Sequence, residues 1–255
     1  MNLNLDVDQK AIEGGLNVVR PDIRQIVSLM RVLHHYTCAS IEEKTIDPLM
    51  EFLYGHLNST LQKIDDSQRA CRMGCSFCCN NFVTVTTPEV LFALKSVKNQ
   101  NSELVRSNTA SMNQTTAGKT PAERGTMVTP CPLLENGACS IYINRPLVCR
   151  TAVSDDSALC ERVYFYGSRE DIPATYNHFG MKGIYGLALA GALKKAGLAA
   201  NYYEYNSALD AALSANEAEF NWLSGENVFS KIAHDPEGEM FADQWNQKIF
   251  DEAFS

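Results

Sequence analysis

Nine cysteines constrain this chain more than any other feature, because eight of them fall between Cys71 and Cys160 in two groups of four. The first group, Cys71, Cys75, Cys78 and Cys79, sits in the short stretch ACRMGCSFCCNN. The second, Cys131, Cys139, Cys149 and Cys160, is more widely spaced. Thiols at this density serve as disulfides, metal ligands or redox groups. The opening residues MNLNLDVDQK have neither the basic region nor the apolar run of a secretory signal, so a cytoplasmic location is expected. Thiols stay reduced there and are available to bind metal.

The turn Cys75-Ser76-Phe77-Cys78 lets two thiolates converge on one soft metal, with backbone N–H groups pointing toward the sulfurs. Cys78 and Cys79 are adjacent, and neighbouring side chains in extended backbone diverge. The pair is therefore expected to serve different metals, or to leave one spare thiol. Two sites of mixed membership satisfy this, as does one cluster beside a free cysteine. All-thiolate ligation excludes Mg²⁺ and Ca²⁺, which take oxygen, and leaves zinc or an iron–sulfur cluster. Arg72, Arg145 and Arg150 stand near cysteines in sequence and are candidates to stabilise thiolate charge, against the plainer role of surface cation.

Residues 131–150, CPLLENGACSIYINRPLVCR, place turn chemistry at Glu135-Asn136-Gly137, so Cys131 and Cys139 are predicted to flank a hairpin-like loop. Pro132 and Pro146 stiffen the backbone beside presumed ligands. Together, CRMGCSFCC, this second segment and SDDSALC ending at Cys160 resemble the bacterial cysteine-cluster family of zinc- or iron-chelating proteins, which includes the flagellin lysine N-methylases. The resemblance covers roughly residues 70–162. It implies cysteine ligation of an iron–sulfur cluster, of the 4Fe-4S type, or of zinc, and fixes no reaction. Cys71-x3-Cys75-x2-Cys78 also resembles the three-cysteine signature of radical S-adenosylmethionine enzymes. Those enzymes place it after the first strand of a βα barrel, whereas here a helix precedes it and no βα repeat follows.

The expected architecture is mostly α: one helical domain around a loop-rich cysteine metal centre, with at most a few short strands. It divides into an N-terminal helical region at 1–69, the cysteine-cluster region at 70–162 and a C-terminal helical region at 163–255. Ser40-Ile41-Glu42-Glu43 fits a capping box and Asp47-Pro48 a second helix start, ahead of Ile46, Leu49, Met50, Leu53, Leu57, Leu61 and Ile64 at helical spacing. FVTVTT alternates as a strand, and Thr87-Pro88-Glu89 opens a helix to about Val97. Ser107 to Thr120 reads as a weak helix or a mobile segment. In GIYGLALAGAL, Gly183, Gly186 and Ala190 allow close helix packing rather than nucleotide binding, since no strand-to-glycine-loop fingerprint precedes them. YYEYNSALDAALSANEAEFNWL reads as helix-rich.

A formal charge of -8 with no basic stripe argues against nucleic acid as partner. The longest small-and-apolar run is far short of the roughly 20 residues of a membrane span. A protein substrate or redox partner is left open. His34, His35, His56, His178 and His234 lack metal-ligand spacing and read as surface or hydrogen-bonded histidines. Asp155-Asp156 reads as capping, Tyr202-Tyr203-Glu204-Tyr205 as core with a polar edge, and Cys38 as a small hydrophobe. No catalytic residue stands out. Three functions fit: an iron–sulfur protein in electron transfer or a methylation-like reaction, a structural zinc module, or an iron- or zinc-handling protein.

Overall fold

The computed structural model describes residues 4–98, 102–168, 170–172, 176–233 and 244–255. Helices α1 (Leu5–Ile12) and α2 (Ile23–Glu43) start at Asn4 and Asp22, whose side chains accept the N–H groups of Val7 and Arg24. Such caps satisfy donors that the first turn of a helix leaves unpaired. Helix α3 (Asp47–Leu61) opens with Pro48, as the sequence suggests. The Ser40–Glu43 signature opens no helix; it is the last turn of α2, where the Ser40 carbonyl accepts from Thr45 N–H and its hydroxyl from Leu49 N–H. These bonds stitch the α2–α3 corner. The helix stops at Leu61, short of Ile64.

Helix α9 (Tyr176–Lys195) lies along α2, and both bury apolar side chains such as Leu29, Met30, Leu33, Leu189 and Leu193. Their closest approach is at Gly191, where a Cβ would stand 2.5 Å from Met30 Sδ. Gly183, expected on this packed face, is exposed with open space around it. Gly186 and Ala190, expected on the same face, are buried, so of the three small residues Gly183 alone lies off the packed face. Helix α12 (Gln244–Phe254) covers α2 from another side, held by Arg31 Nε donating 2.7 Å to the Ala253 carbonyl.

A two-stranded antiparallel ribbon joins β1 (Thr84–Thr86) to β4 (Tyr202–Glu204), with Val85 opposite Tyr203. Tyr202-Tyr203-Glu204 is thus strand, because buried aromatics on both sides of the ribbon favour extended backbone. Helices α4 (Thr87–Lys98) and α10 (Tyr205–Ser214) leave this ribbon directly. Helix α5 (Ser102–Thr116) packs on α10 through Asn113, which donates 2.8 Å to Asp210 and accepts 2.9 Å from the Ser207 hydroxyl. That polar seam makes an ordered helix of a segment with little apolar content. Glu89, on the first turn of α4, is 2% exposed and accepts three 2.8 Å hydrogen bonds, from Thr86 N–H, the Thr86 hydroxyl and Leu147 N–H.

The remaining elements are short: α6 (Pro121–Arg124), the hairpin β2 (Leu134–Glu135) and β3 (Ala138–Cys139), α7 (Leu147–Thr151), α8 (Ser157–Tyr166) and α11 (Ala218–Leu223). Asn136 and Gly137 turn the hairpin with φ of 51° and 78°, the left-handed pair a two-residue turn requires. The fold is mostly α with a few short strands, as expected. Among the described residues, no helix is long and apolar enough to cross a membrane.

Candidate metal centre

The eight clustered cysteines reach one region from five local structures. Cys71 follows the loop after α3 and is tied to the segment before α8 by two bonds, Ala70 N–H to the Ser154 carbonyl at 3.0 Å and Ser154 N–H to Cys71 Sγ at 3.2 Å. A tight turn closes with Cys75 N–H on the Arg72 carbonyl at 2.9 Å, and Gly74 supplies its φ of 90°. Cys78 and Cys79 lie in a single 3₁₀ turn, Phe77–Asn80. The expectation of divergent thiols rests on extended backbone, whereas here the two cysteines share a helical turn. Phe77 packs edge-on against Phe165 of α8, which fixes the turn to the helix carrying Cys160.

Cys131 N–H donates 2.8 Å to the Cys79 carbonyl, docking the hairpin on the same turn. Cys139 ends β3, and Cys149 lies on α7, whose first N–H is the one held by Glu89. Asp156 caps α8 by accepting Leu159 N–H at 2.9 Å, while Asp155 is exposed. Capping is therefore the role of this acidic pair, at Asp156.

The thiols line two adjoining cavities. The first, of about 80 Å³, has Cys75, Cys78, Cys79, Cys131, Cys139 and Cys149 in its walls, together with Arg124, Arg145, Glu204 and Tyr205. The second, of about 210 Å³, is lined by Cys71, Cys75, Cys78 and Cys160, with apolar walls from Phe77, Val148, Val153 and Phe179, and with Tyr164 and Lys182. Cys75 and Cys78 form the wall between them. Among the described residues, no three Cys, His, Asp or Glu side chains converge tightly enough to enclose an ion, so these are thiol-lined cavities rather than closed ligand shells.

Burial dominates the titration of Cys71, Cys131, Cys139, Cys149 and Cys160. It pushes Cys131 up to about 12 and Cys149 well above the usual thiol range, with repulsion from neighbouring cysteines adding to both. Cys78 is raised first by its bond to Cys79 and then by burial. Cys71, Cys139 and Cys160 are raised by burial, eased for Cys71 by Ser154 N–H and for Cys139 by Ile141 N–H and then Arg145. The chain alone thus favours protonated thiols, and a bound cation is what would hold them as thiolates.

Of the three arginines singled out by sequence, Arg145 lines the first cavity with its face over the Tyr142 ring at 4.0 Å. Arg72 lines a smaller adjoining cleft of about 40 Å³ with Cys71, Cys75, Cys78 and Cys149. Arg150 turns away: it donates to the Arg145 and Ile143 carbonyls and to Asn58, and stacks 3.8 Å over Tyr54. It clamps the loop before α7. Sequence reasoning missed Arg124, Lys182, Tyr164 and the inward edge of Tyr205; of these only Tyr164 carried a signal, four residues after Cys160 and so on the same face of α8.

The histidines stay outside both cavities. His56 bonds the Ile12 carbonyl through Nε2 at 2.8 Å and the Tyr185 hydroxyl through Nδ1 at 2.7 Å; His178 is buried 3.2 Å from Asp66. His34 packs against Phe254 and lies 3.7 Å from Cys38, which lines neither cavity, and His35 is exposed. His234 lies outside the described residues.

Residues 70–171 match the family model described as CxxCxxCC, "Putative zinc- or iron-chelating domain". No curated protein and no solved structure matches the chain significantly.

Proposed function

Taking residues 70–171 as a cysteine-cluster domain of the zinc- or iron-chelating kind, we propose that its eight cysteines form two four-thiolate metal centres, each drawing on both halves of the motif. One takes Cys71, Cys75, Cys78 and Cys160; the other takes Cys79, Cys131, Cys139 and Cys149. The grouping follows the electrostatic neighbours: Cys71 feels Cys75, Cys78 and Cys160, whereas Cys149 feels Cys131 and Cys139 as well as the intervening Cys78. The observation that carries the reading is the make-up of the cavity walls, eight thiols with no imidazole. Such a donor set suits iron–sulfur clusters or zinc and rejects hard cations.

Iron–sulfur is the preferred occupant, because inorganic sulfides add acceptors for donors that face the first cavity. When bound, a cluster held by four thiolates supplies one-electron transfer. The protein's part is to exclude water with Phe77, Val148 and Phe179, and to orient sulfur with Ser154 N–H at Cys71. Zinc in the same two sites is the second reading, since four thiolates are also a closed zinc ligand set.

Single substitutions test the division. Cys160→Ser and Cys139→Ser are each expected to lose about half of the metal measured in anaerobically purified wild type, and Cys38→Ser none. The double variant is expected to lose nearly all. Equal metal content in all of these proteins would end the ligand assignment.

A further inference from the structure

Arg124 is 2% exposed, yet its Nε and Nη1 have no hydrogen-bond partner among the described residues. Only Nη2 is engaged, 3.3 Å from the Asn81 carbonyl. Leaving a charged donor buried and unpaired is costly, and proteins rarely do so without a missing acceptor. The side chain lines the first cavity beside Cys131. It is held there by its backbone, since α6 is fixed by a capping box in which Thr120 and Glu123 exchange hydrogen bonds and Arg124 N–H closes on the Thr120 carbonyl at 2.9 Å.

Two further donors share this situation. Arg145 Nε and the Tyr205 hydroxyl are buried without partners, and both residues line the same cavity. Among the described residues lining it, the one carboxylate is Glu204, which caps α10 through Oε2 by accepting Ser207 N–H at 2.8 Å and the Ser207 hydroxyl at 2.9 Å, and whose charge is felt by Arg124 without a direct bond. No ion pair between Glu204 and Arg124 forms among the described residues. Two cations, one carboxylate and a hydroxyl therefore line a space whose walls hold six thiols, and Arg124 Nε and Nη1, Arg145 Nε and the Tyr205 hydroxyl lack a partner within it among the described residues.

From this cluster we infer that the first cavity is built for a guest that is anionic as a unit, a metal–thiolate or metal–sulfide assembly whose sulfurs accept from Arg124, Arg145 and Tyr205, and that Arg124 is a positioning residue for it. This rests on the metal-centre reading above. Four thiolates around a divalent ion carry a net charge of about −2, which the two guanidinium groups offset inside a water-poor cavity, with Glu204 opposing part of their charge. A bare cation without thiolate ionisation would instead be repelled by both arginines.

The inference makes the metal-free and metal-bound proteins respond in opposite ways. Arg124→Gln removes an unpaired buried charge from the metal-free protein, so its urea midpoint is expected to stay unchanged or rise. In the loaded protein the same change removes sulfur-directed donors, and outer-shell losses of this kind weaken metal binding by about 10- to 100-fold. The probe is Cd²⁺ bound to the full chain under reducing, anaerobic conditions, read by its thiolate absorption band in competition with a chelator. Arg124→Lys, which keeps charge but loses the fork, is expected to fall between wild type and Arg124→Gln, and serves if the glutamine variant fails to fold.

A metal-free Arg124→Gln protein less stable than wild type, with Cd²⁺ affinity unchanged, would overturn the inference and make Arg124 an ordinary packing residue. Wild type that binds no Cd²⁺ through thiolates would overturn the metal-centre reading and this inference together. Wild type that binds Cd²⁺ while both variants bind equally well overturns the inference alone.

Discussion

Replacing Glu89 should damage both the fold and the hold on Cys149. Its carboxylate takes two backbone N–H groups and one hydroxyl, all at 2.8 Å, and one of those N–H groups opens the helix bearing Cys149. In Glu89→Ala the Thr86 hydroxyl can rotate to another acceptor, but two buried N–H donors cannot. Each orphaned donor costs about 1–3 kcal/mol. Burial raises the Glu89 pKa, so the carboxylate itself carries a desolvation penalty that its removal returns in part. A net loss of about 2–5 kcal/mol results, a large share of the roughly 5–15 kcal/mol typical of a domain. Glu89→Gln keeps one acceptor and turns an NH₂ toward a donor, so its loss should lie between wild type and alanine. Urea denaturation of metal-free protein at neutral pH measures this order. A glutamine variant as stable as wild type, or an alanine loss below about 1 kcal/mol, would refute the reasoning.

Two further outcomes are expected. At Gly15, with φ of 100°, a Cβ would meet Thr60 Oγ1 at 2.5 Å and its backbone at 2.7 Å, whereas at Gly14, with φ of 71°, it would meet nothing within 4 Å. Gly14→Ala should therefore cost only the left-handed backbone penalty of about 1–2 kcal/mol, and Gly15→Ala should lower Tm at least twice as far; equal shifts would contradict the clash. Burial lowers the pKa of His56 and His178 below the usual histidine value, so their unfolded forms bind protons first. Stability from these residues is present above about pH 6.5 and lost as pH falls through the lowered values. Glu89, with its raised pKa, acts in the opposite sense, so the test is the difference between wild type and His56→Gln in urea midpoint from pH 7 to pH 5. A steeper fall in wild type is expected, and identical slopes would contradict it.

Much of this was legible in the sequence where the signal was local. The Asp47-Pro48 start, the strand in FVTVTT and the Asn136-Gly137 turn all follow from backbone chemistry within a few residues, and each is present. The clustering of eight cysteines was equally plain. What stayed hidden depends on contacts across the chain. Ser40–Glu43 matches a helix start because Ser and Glu at that spacing can cap, but a buried face recurring at Leu29, Met30, Leu33, Thr37 and Ser40 carries α2 through to Glu43. The polar segment from Ser107 becomes helix as far as Thr116 because α10 offers Asp210 and Ser207 as partners to Asn113, 97 and 94 residues later. Arg124 sits in PAERG seven residues before Cys131, outside any metal-ligand spacing, and its place in the cavity wall shows only in the fold. Arg150, adjacent to Cys149, faces the other way because successive residues of a helix point about 100° apart.

The central claim is that sulfur holds iron in these two cavities. Purifying the full chain without oxygen and measuring iron, zinc and acid-labile sulfide, together with the visible spectrum, tests it most directly. The account expects iron and sulfide in equal amounts with a broad charge-transfer band. Colourless protein with stoichiometric zinc and no sulfide, or with no metal, would contradict it.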